Sequence, residues 1–328
     1  MSIGIKDVAV AAGVSPATVS RVLANRHVKP ELRERVETAI RLTGYRPNLS
    51  ARRLRSQHSN TIGLIVPDIR NPFFTTLSRA VEDAAYLANM RVVLCNTDEN
   101  PSRETMYLRL MQEERVTGVI YAPTRETAAQ LDRLNFDFPV VLVDRHGPPG
   151  RHDSVVLDNR QASAMLVAHL QSRGFRTIEG LFGNTSSTAR DRLSGYTEAM
   201  NDCGLTPRAN FVAPNPEAAT LAAREILSRK DRPEALIASN GLILLGIAQA
   251  MQELDLRAPQ DIALAGFDNE IWTGLIGSGL TVIQQPVADI GHSAMRLLFE
   301  RIETPDMAPR VVMLSGKLIE RNSTKRFA

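Results

Sequence analysis

The sequence predicts an all-α helix-turn-helix headpiece followed by an α/β core of two doubly wound parallel-sheet subdomains. Three observations predict it. Basic residues crowd into the first 60 positions, short capped helical patterns fill the same stretch, and apolar runs alternate with helical patterns from residue 61 onward. The chain has 328 residues, 43% of them apolar, enough for two or three cores. Its net charge of +3 hides an asymmetry, because residues 1 to 60 carry eleven Lys/Arg against four Asp/Glu. Such a patch fits a phosphate-binding arm and fits a merely solvated basic face as well, so the apolar pattern must decide.

In the headpiece, IKDVAVAA (5–12) places Ile5, Val8, Ala9 and Ala12 on one helical face, and Gly13 follows where a left-handed residue ends a helix. Ser15 is then an N-cap, Pro16 suits the first helical position, and Val19, Val22 and Leu23 continue the apolar spacing through residue 24. A third helix reads from Glu31 to Thr43, with Leu32, Val36, Ala39 and Ile40 inward. In a helix-turn-helix the start of the second helix meets base edges in the major groove. Here that face carries Pro16, Ala17, Ser20 and Arg21, and Arg21 is the side chain expected to read a base. Its fork can bond guanine O6 and N7 together, a contact of roughly 1–3 kcal/mol. Thr18 and Ser20 suit phosphate contact or capping.

Residues 48–60 (NLSARRLRSQHSN) follow Pro47 and read as a linker in which Asn48 caps a short helix to Arg55. At that length helix nucleation is costly, so the segment is expected to fold only when docked.

From residue 61 the predicted strands are 61–67, 91–97, 118–123, 140–144, 177–183, 235–240 and 262–267, with a late strand in TVIQQ (281–285). Helical segments near 73–89, 102–115, 160–173, 189–202, 216–229 and 241–255 separate them. This alternation implies parallel sheets, and some 268 residues imply two of them. Ligands in open α/β sheets bind beyond the carboxyl ends of the strands. Those ends hold Asp68, Asn71 and Phe73, then Asp144 and Arg145, then Asn240, then Asp268 and Asn269. Arg192 opens the helix after GLFGNTSSTA, and Gln285 ends the late strand. Carboxylates and amides suit sugar hydroxyls and an arginine can fork a carboxylate, so a polyhydroxylated ligand, acidic or not, fits the set.

Several classes are disfavoured. No GxSxG, P-loop, complete GxGxxG or HExxH occurs, and the six histidines are scattered, so neither an enzyme nor a metal or cofactor site is expected. Cys95 and Cys203 form no CxxC and are expected as buried small apolar residues. No apolar run approaches the roughly 18 residues of a membrane span, and no secretory signal precedes the headpiece, so a cytoplasmic protein is expected.

Residues 5–26 (IKDVAVAAGVSPATVSRVLANR) resemble the headpiece of the lactose/galactose repressor family. The resemblance extends through GYRPNLSARRLR (44–55), NPFF (71–74), LDNR (157–160), RLSGY (192–196), PQDIALAGFDN (259–269) and TVIQQP (281–286). It implies a periplasmic-binding-protein-like core, with a headpiece at 1–47, a hinge at 48–60 and an effector-binding and dimerisation core at 61–328. Within that core an N-subdomain is expected at about 61–159 plus 287–316 and a C-subdomain at about 160–286 plus 317–328.

For function, the resemblance implies a homodimeric repressor whose grip on near-palindromic double-stranded operator DNA is switched by a small effector. DNA contacts fall on Pro16, Ala17, Thr18, Ser20, Arg21, Asn25, Arg26, Arg52, Leu54 and Arg55, with Leu54 wedged into the minor groove. Effector contacts fall on Phe73, Asp144, Arg145, Thr188, Arg192, Asn240, Asp268 and Gln285. Helix 73–89, with Phe74, Leu77, Val81 and Ala85, is the implied dimer face. The extra C-terminal helix of tetrameric members has no counterpart after IERNSTKRFA (319–328). Two departures stand out: Ala24 precedes Asn25 in a shorter loop, and Pro214 and Asn215 replace the family's aromatic wall. The effector is expected to be a sugar or a gluconate- or 2-ketogluconate-type acid. A purine-type corepressor-dependent regulator and a sugar-binding protein without DNA binding are the alternatives.

Overall fold

The computed structural model describes residues 3–23, 26–45 and 59–326, and the chain divides after Ser59 into two compact units. The first holds α1 (Ile5–Ala12), α2 (Pro16–Leu23) and α3 (Pro30–Thr43). Their inward stripes, Val8, Ala9, Ala12, Val19, Val22, Val36 and Ala39, form one apolar cluster. Gly13, at φ 60°, closes α1, and Arg35 Nη2 donates to its carbonyl at 3.2 Å, a cation at a helix C-terminus. Ser15 Oγ accepts from the Thr18 amide at 3.1 Å and so caps α2.

The second unit begins with β1 (Thr61–Val66), α4 (Pro72–Leu87), β2 (Arg91–Asn96), α5 (Pro101–Glu113), β3 (Gly118–Tyr121), α6 (Arg125–Ala128), β4 (Val140–Val143) and β5 (Asp153–Leu157). It continues with α7 (Asn159–Ser172), β6 (Ile178–Gly183), α8 (Ser187–Asp202), β7 (Arg208–Val212), α9 (Pro216–Leu227), β8 (Ala235–Ala238), α10 (Gly241–Glu253), β9 (Ala263–Phe267) and β10 (Thr281–Gln284). Last come α11 (Val287–Glu303), β11 (Val311–Leu314) and β12 (Lys317–Ile319). The strands form two six-stranded sheets, ordered β11-β5-β4-β3-β1-β2 and β12-β10-β9-β8-β6-β7. The two orders are one topology used twice, so β4 corresponds to β9 and β5 to β10. All pairings are parallel except β10 with β12.

Every residue of β1, β3, β4 and β5, and of β6, β8 and β9, is buried, as parallel strands covered on both faces must be. One face of the first sheet packs Ile62 and Leu64 against Phe74 and Leu77 of α4 and Met295 and Leu298 of α11. Burying each such side chain contributes about 1.5–3 kcal/mol.

That packing corrects one expectation. Phe74, Leu77, Val81 and Ala85 do not form a dimer face, because all four lie inside this core. The exposed apolar residues of that lobe instead include Tyr86, Leu87, Val93, Leu94, Met106 and Leu110, on the end of α4, the edge strand β2 and α5, besides Ile69 and, on the opposite edge strand β11, Val311 and Met313. Cys95 is buried as expected, whereas Cys203 is only half-buried, and both are free thiols.

Candidate functional site

The carboxyl ends of the two sheets face each other across a cleft holding about 640 Å³ of non-protein space, its open mouth included. All eight expected effector residues line it: Phe73, Asp144, Arg145, Thr188, Arg192, Asn240, Asp268 and Gln285. Asp68, Asn71, Glu99, Thr185, Ser186 and Ser239 line it too.

Asp144 and Asp268 occupy corresponding stations of the two lobes. Each is the residue directly after its strand, each has a left-handed backbone (φ 63° and 76°), and each donates its amide to the neighbouring strand, Asp144 to Val155 and Asp268 to Ile283. Left-handed aspartates cost on the order of 1–3 kcal/mol apiece and persist where surrounding structure holds them. Asp268 is nearly buried. Its Oδ2 accepts from the Gly241 amide at 2.7 Å and its Oδ1 from Gln285 Nε2 at 2.6 Å. Because Asp268 needs a donor, the Gln285 amide is fixed nitrogen-inward, and its buried Oε1 is left without a partner among the described residues. An acceptor held in this way suits a ligand hydroxyl. Asn240 caps α10 by accepting from Ile243 N at 2.8 Å through Oδ1, and its NH2 group has no partner among the described residues.

The arginines are nearly buried, Arg145 at 4% and Arg192 at 3% exposure. Arg192 lies over the Phe267 ring, 3.9 Å from its centroid, and donates from Nε to Asn159 Oδ1 at 2.7 Å and from Nη1 to the Ser239 carbonyl. Burial lowers its pKa against the opposing charges of Asp268 and Asp144. For Asp144, burial raises the carboxyl pKa while Arg145 and Arg192 pull it down. Arg145 is held above the ordinary arginine value despite its burial, by the hydrogen bond and charge of Glu99.

The lobes also touch directly. Thr188 Oγ1 donates to the Asp144 carbonyl at 2.9 Å, Thr185 Oγ1 to Glu99 Oε1 at 3.4 Å, Arg125 Nη1 to the Asn184 carbonyl at 3.3 Å, and His146 Nε2 lies 3.2 Å from Asp191 Oδ2. Thr188, expected as an effector contact, has its hydroxyl hydrogen on the opposite lobe. Glu99, Asn159 and Thr185 were not expected. The turn TDEN after β2 was the available signal for Glu99, since it too is a polar strand end.

In the headpiece, Pro16, Ala17 and Arg21 are exposed, with Thr18 and Ser20 half-buried beside them, on the face opposite buried Val19 and Val22. Thr18 Oγ1 lies 3.0 Å from Ser15 Oγ. Arg26 is exposed, and its carbonyl accepts from Arg33. Asn25, Arg52, Leu54 and Arg55 lie outside the described residues. Among the described residues no helix is long and apolar enough to cross a membrane.

A capped helix-turn-helix joined in one chain to a two-lobed ligand-binding core defines a class, the effector-responsive DNA-binding transcriptional regulators. Residues 4–48 match the family described as "Bacterial regulatory proteins, lacI family", and residues 167–324 match a periplasmic binding protein-like domain. The chain is 35% identical over 331 residues to the HTH-type transcriptional regulator KdgR of Bacillus subtilis, covering 97% of each chain. It is 32% identical to the HTH-type transcriptional repressor PurR of Photobacterium profundum, covering 98% of each. In fold it is similar to the lac repressor dimer bound to operator and an anti-inducer, with a TM-score of 0.89 over 99% of both chains at 24% identity. The chain belongs to the lacI family of bacterial regulatory proteins and is a DNA-binding transcriptional regulator.

Proposed function

We propose that this regulator is a repressor that binds a near-palindromic operator as a homodimer and is switched by a sugar or sugar acid held in the cleft. The carrying observation is convergence: eight residues from segments scattered between positions 73 and 285 line one polar cleft. Its hydroxyl-binding groups are Asp268, Gln285 Oε1 and the Asn240 NH2, and Arg192 Nη2 is the cation available to a carboxylate. The relative named KdgR, at 35% identity over nearly the whole chain, supports the sugar-acid choice. Operator contacts are assigned to Pro16, Ala17, Thr18, Ser20, Arg21 and Arg26, and, outside the described residues, to Asn25, Arg52, Leu54 and Arg55. The exposed patch of Tyr86, Leu87, Val93, Leu94, Met106 and Leu110 is the dimer face of the first lobe. Effector bound between the lobes changes their closure and so the placement of the two headpieces.

Thermal unfolding of the full chain against a panel of sugars, sugar acids and purines tests the reading. A ligand at 100 times its Kd stabilises by about 2.7 kcal/mol, and the same ligand should change operator affinity. Stabilisation by a purine alone, or by nothing in the panel, refutes it.

A further inference from the structure

The cleft lining sets four carboxylates, Asp68, Glu99, Asp144 and Asp268, against two guanidinium groups, Arg145 and Arg192. The two arginines differ in what they offer a ligand. Arg145 Nη1 donates to Glu99 Oε2 at 3.0 Å and to the Pro123 carbonyl at 2.7 Å, and Nη2 donates to Glu99 Oε1. Its Nε is 3.5 Å from Asp144 Oδ2. A fork that already faces one carboxylate with both terminal nitrogens is in the pairing it would otherwise give an anionic ligand. Arg192 commits Nε and Nη1 to Asn159 and Ser239, and its Nη2 has no partner among the described residues.

Glu99 reaches Arg145 because Asp98 and Glu99 both take left-handed φ, 51° and 54°, in the turn after β2. Thr185 of the opposite lobe donates to the same carboxylate, so the ion pair sits where the lobes meet. Asp68 faces its own partner, Arg70, through Nε at 2.9 Å and Nη2 at 3.0 Å.

We propose that Glu99 is a specificity-determining residue: its carboxylate fills, from within the protein, the place of a second anionic group on the ligand. The cleft therefore takes a polyhydroxylated effector with at most one negative charge, seated at Arg192 Nη2, and rejects phosphorylated and dicarboxylate sugars. A second anion would have to displace Glu99 or lie against Glu99, Asp144 and Asp268 without a free cation. This rests on the cleft being the effector site.

The test uses the full chain and thermal unfolding. Glu99→Ala vacates the anion place and leaves Arg145 intact. Sodium acetate, compared with sodium chloride at equal ionic strength, should raise the Tm of Glu99→Ala by several degrees more than that of wild type. A Glu99→Ala/Arg145→Met double variant should lose that response, which separates it from anion binding by the basic headpiece. Should Glu99→Ala fold poorly, Glu99→Gln keeps the shape and removes the charge, and inorganic phosphate should then stabilise it more than wild type. In ligand titrations the wild type should prefer gluconate to 6-phosphogluconate by at least tenfold, and Glu99→Gln should narrow that ratio. Equal acetate and phosphate responses in wild type and variants, or a wild type that prefers 6-phosphogluconate, overturns the proposal. If acetate rescue succeeds while no sugar or sugar acid binds, the occupation of Arg145 by Glu99 stands and the sugar reading of the cleft fails.

Discussion

Asp268 holds Gly241 with one oxygen and Gln285 with the other, so one side chain fixes both the start of α10 and the orientation of an amide at the cleft. Asp268→Asn keeps the volume but sets an NH2 against one of these donors. Hydrogen bonds to charged groups contribute about 1.5–3 kcal/mol, so effector affinity should fall roughly tenfold to a hundredfold while operator affinity without effector is unchanged. Calorimetric titration paired with an operator-binding assay reads both quantities. His146 supplies a pH dependence. Its pKa is raised, first by the hydrogen bond to Asp191 across the lobes. A raised folded value means that the contact contributes fully below the unfolded value of about 6.5 and is lost as pH rises through the folded value. The pair is half-exposed, which limits it to about 0.2–1 kcal/mol. Effector affinity should therefore decline no more than fivefold or so from pH 6 to pH 8, and Asp191→Asn should flatten that profile; a steeper decline that survives Asp191→Asn would place the titration elsewhere.

Helices α7 and α8 meet at Gly195, where an added Cβ would stand 2.6 Å from the Arg160 Cα and 2.7 Å from its carbonyl carbon. Those are backbone atoms that cannot swing aside, so Gly195→Ala must push the helices apart. Overpacking costs typically 1–3 kcal/mol, and Tm should fall by several degrees with helix content kept, measurable by circular dichroism. RLSGY was visible in the sequence as a landmark, but nothing in its periodicity told that the glycine is a contact. The same boundary between pattern and packing runs through the other elements. Strands such as Thr61–Val66 and Ala263–Phe267 were legible because strands buried on both faces are largely apolar, whereas Asp153–Leu157, buried just as fully but opening on Asp153 and Ser154, was not. Arg208–Val212 was not either, since it is an edge strand whose side chains are largely exposed and it carries no continuous apolar run; Val311–Leu314 is apolar but only four residues long and half exposed at its sheet edge. The cleft was legible as a set of strand-end polar residues. Glu99 escaped because its place depends on two consecutive left-handed residues rather than on a motif.

At the scale of the whole chain, the two sheets repeat one topology, and the repeat sets Asp144 opposite Asp268 with the same backbone twist. The chain passes between the lobes three times, between β5 and α7, between β10 and α11, and between β11 and β12, and Thr185, Thr188, Arg125 and His146 make further contacts from lobe to lobe. A ligand in such a cleft biases closure only by the difference in its affinity for the open and closed forms. The DNA-binding unit, residues 1–59, is separate from this core, so coupling between effector and operator must be a free energy linking two distinct sites. Such a coupling is reciprocal: whatever factor the effector imposes on operator affinity, saturating operator must impose on effector affinity. For a typical coupling of about 1–3 kcal/mol both factors lie near 5- to 150-fold. Measuring effector Kd with and without operator DNA, and operator Kd with and without effector at one salt concentration, should return equal factors, because operator affinity alone shifts steeply with salt. A chain beginning at Asn60 should retain the operator-free effector Kd within twofold. If that truncated chain loses effector binding, or the two factors differ beyond error, the effector does not act through the cleft as an independent site.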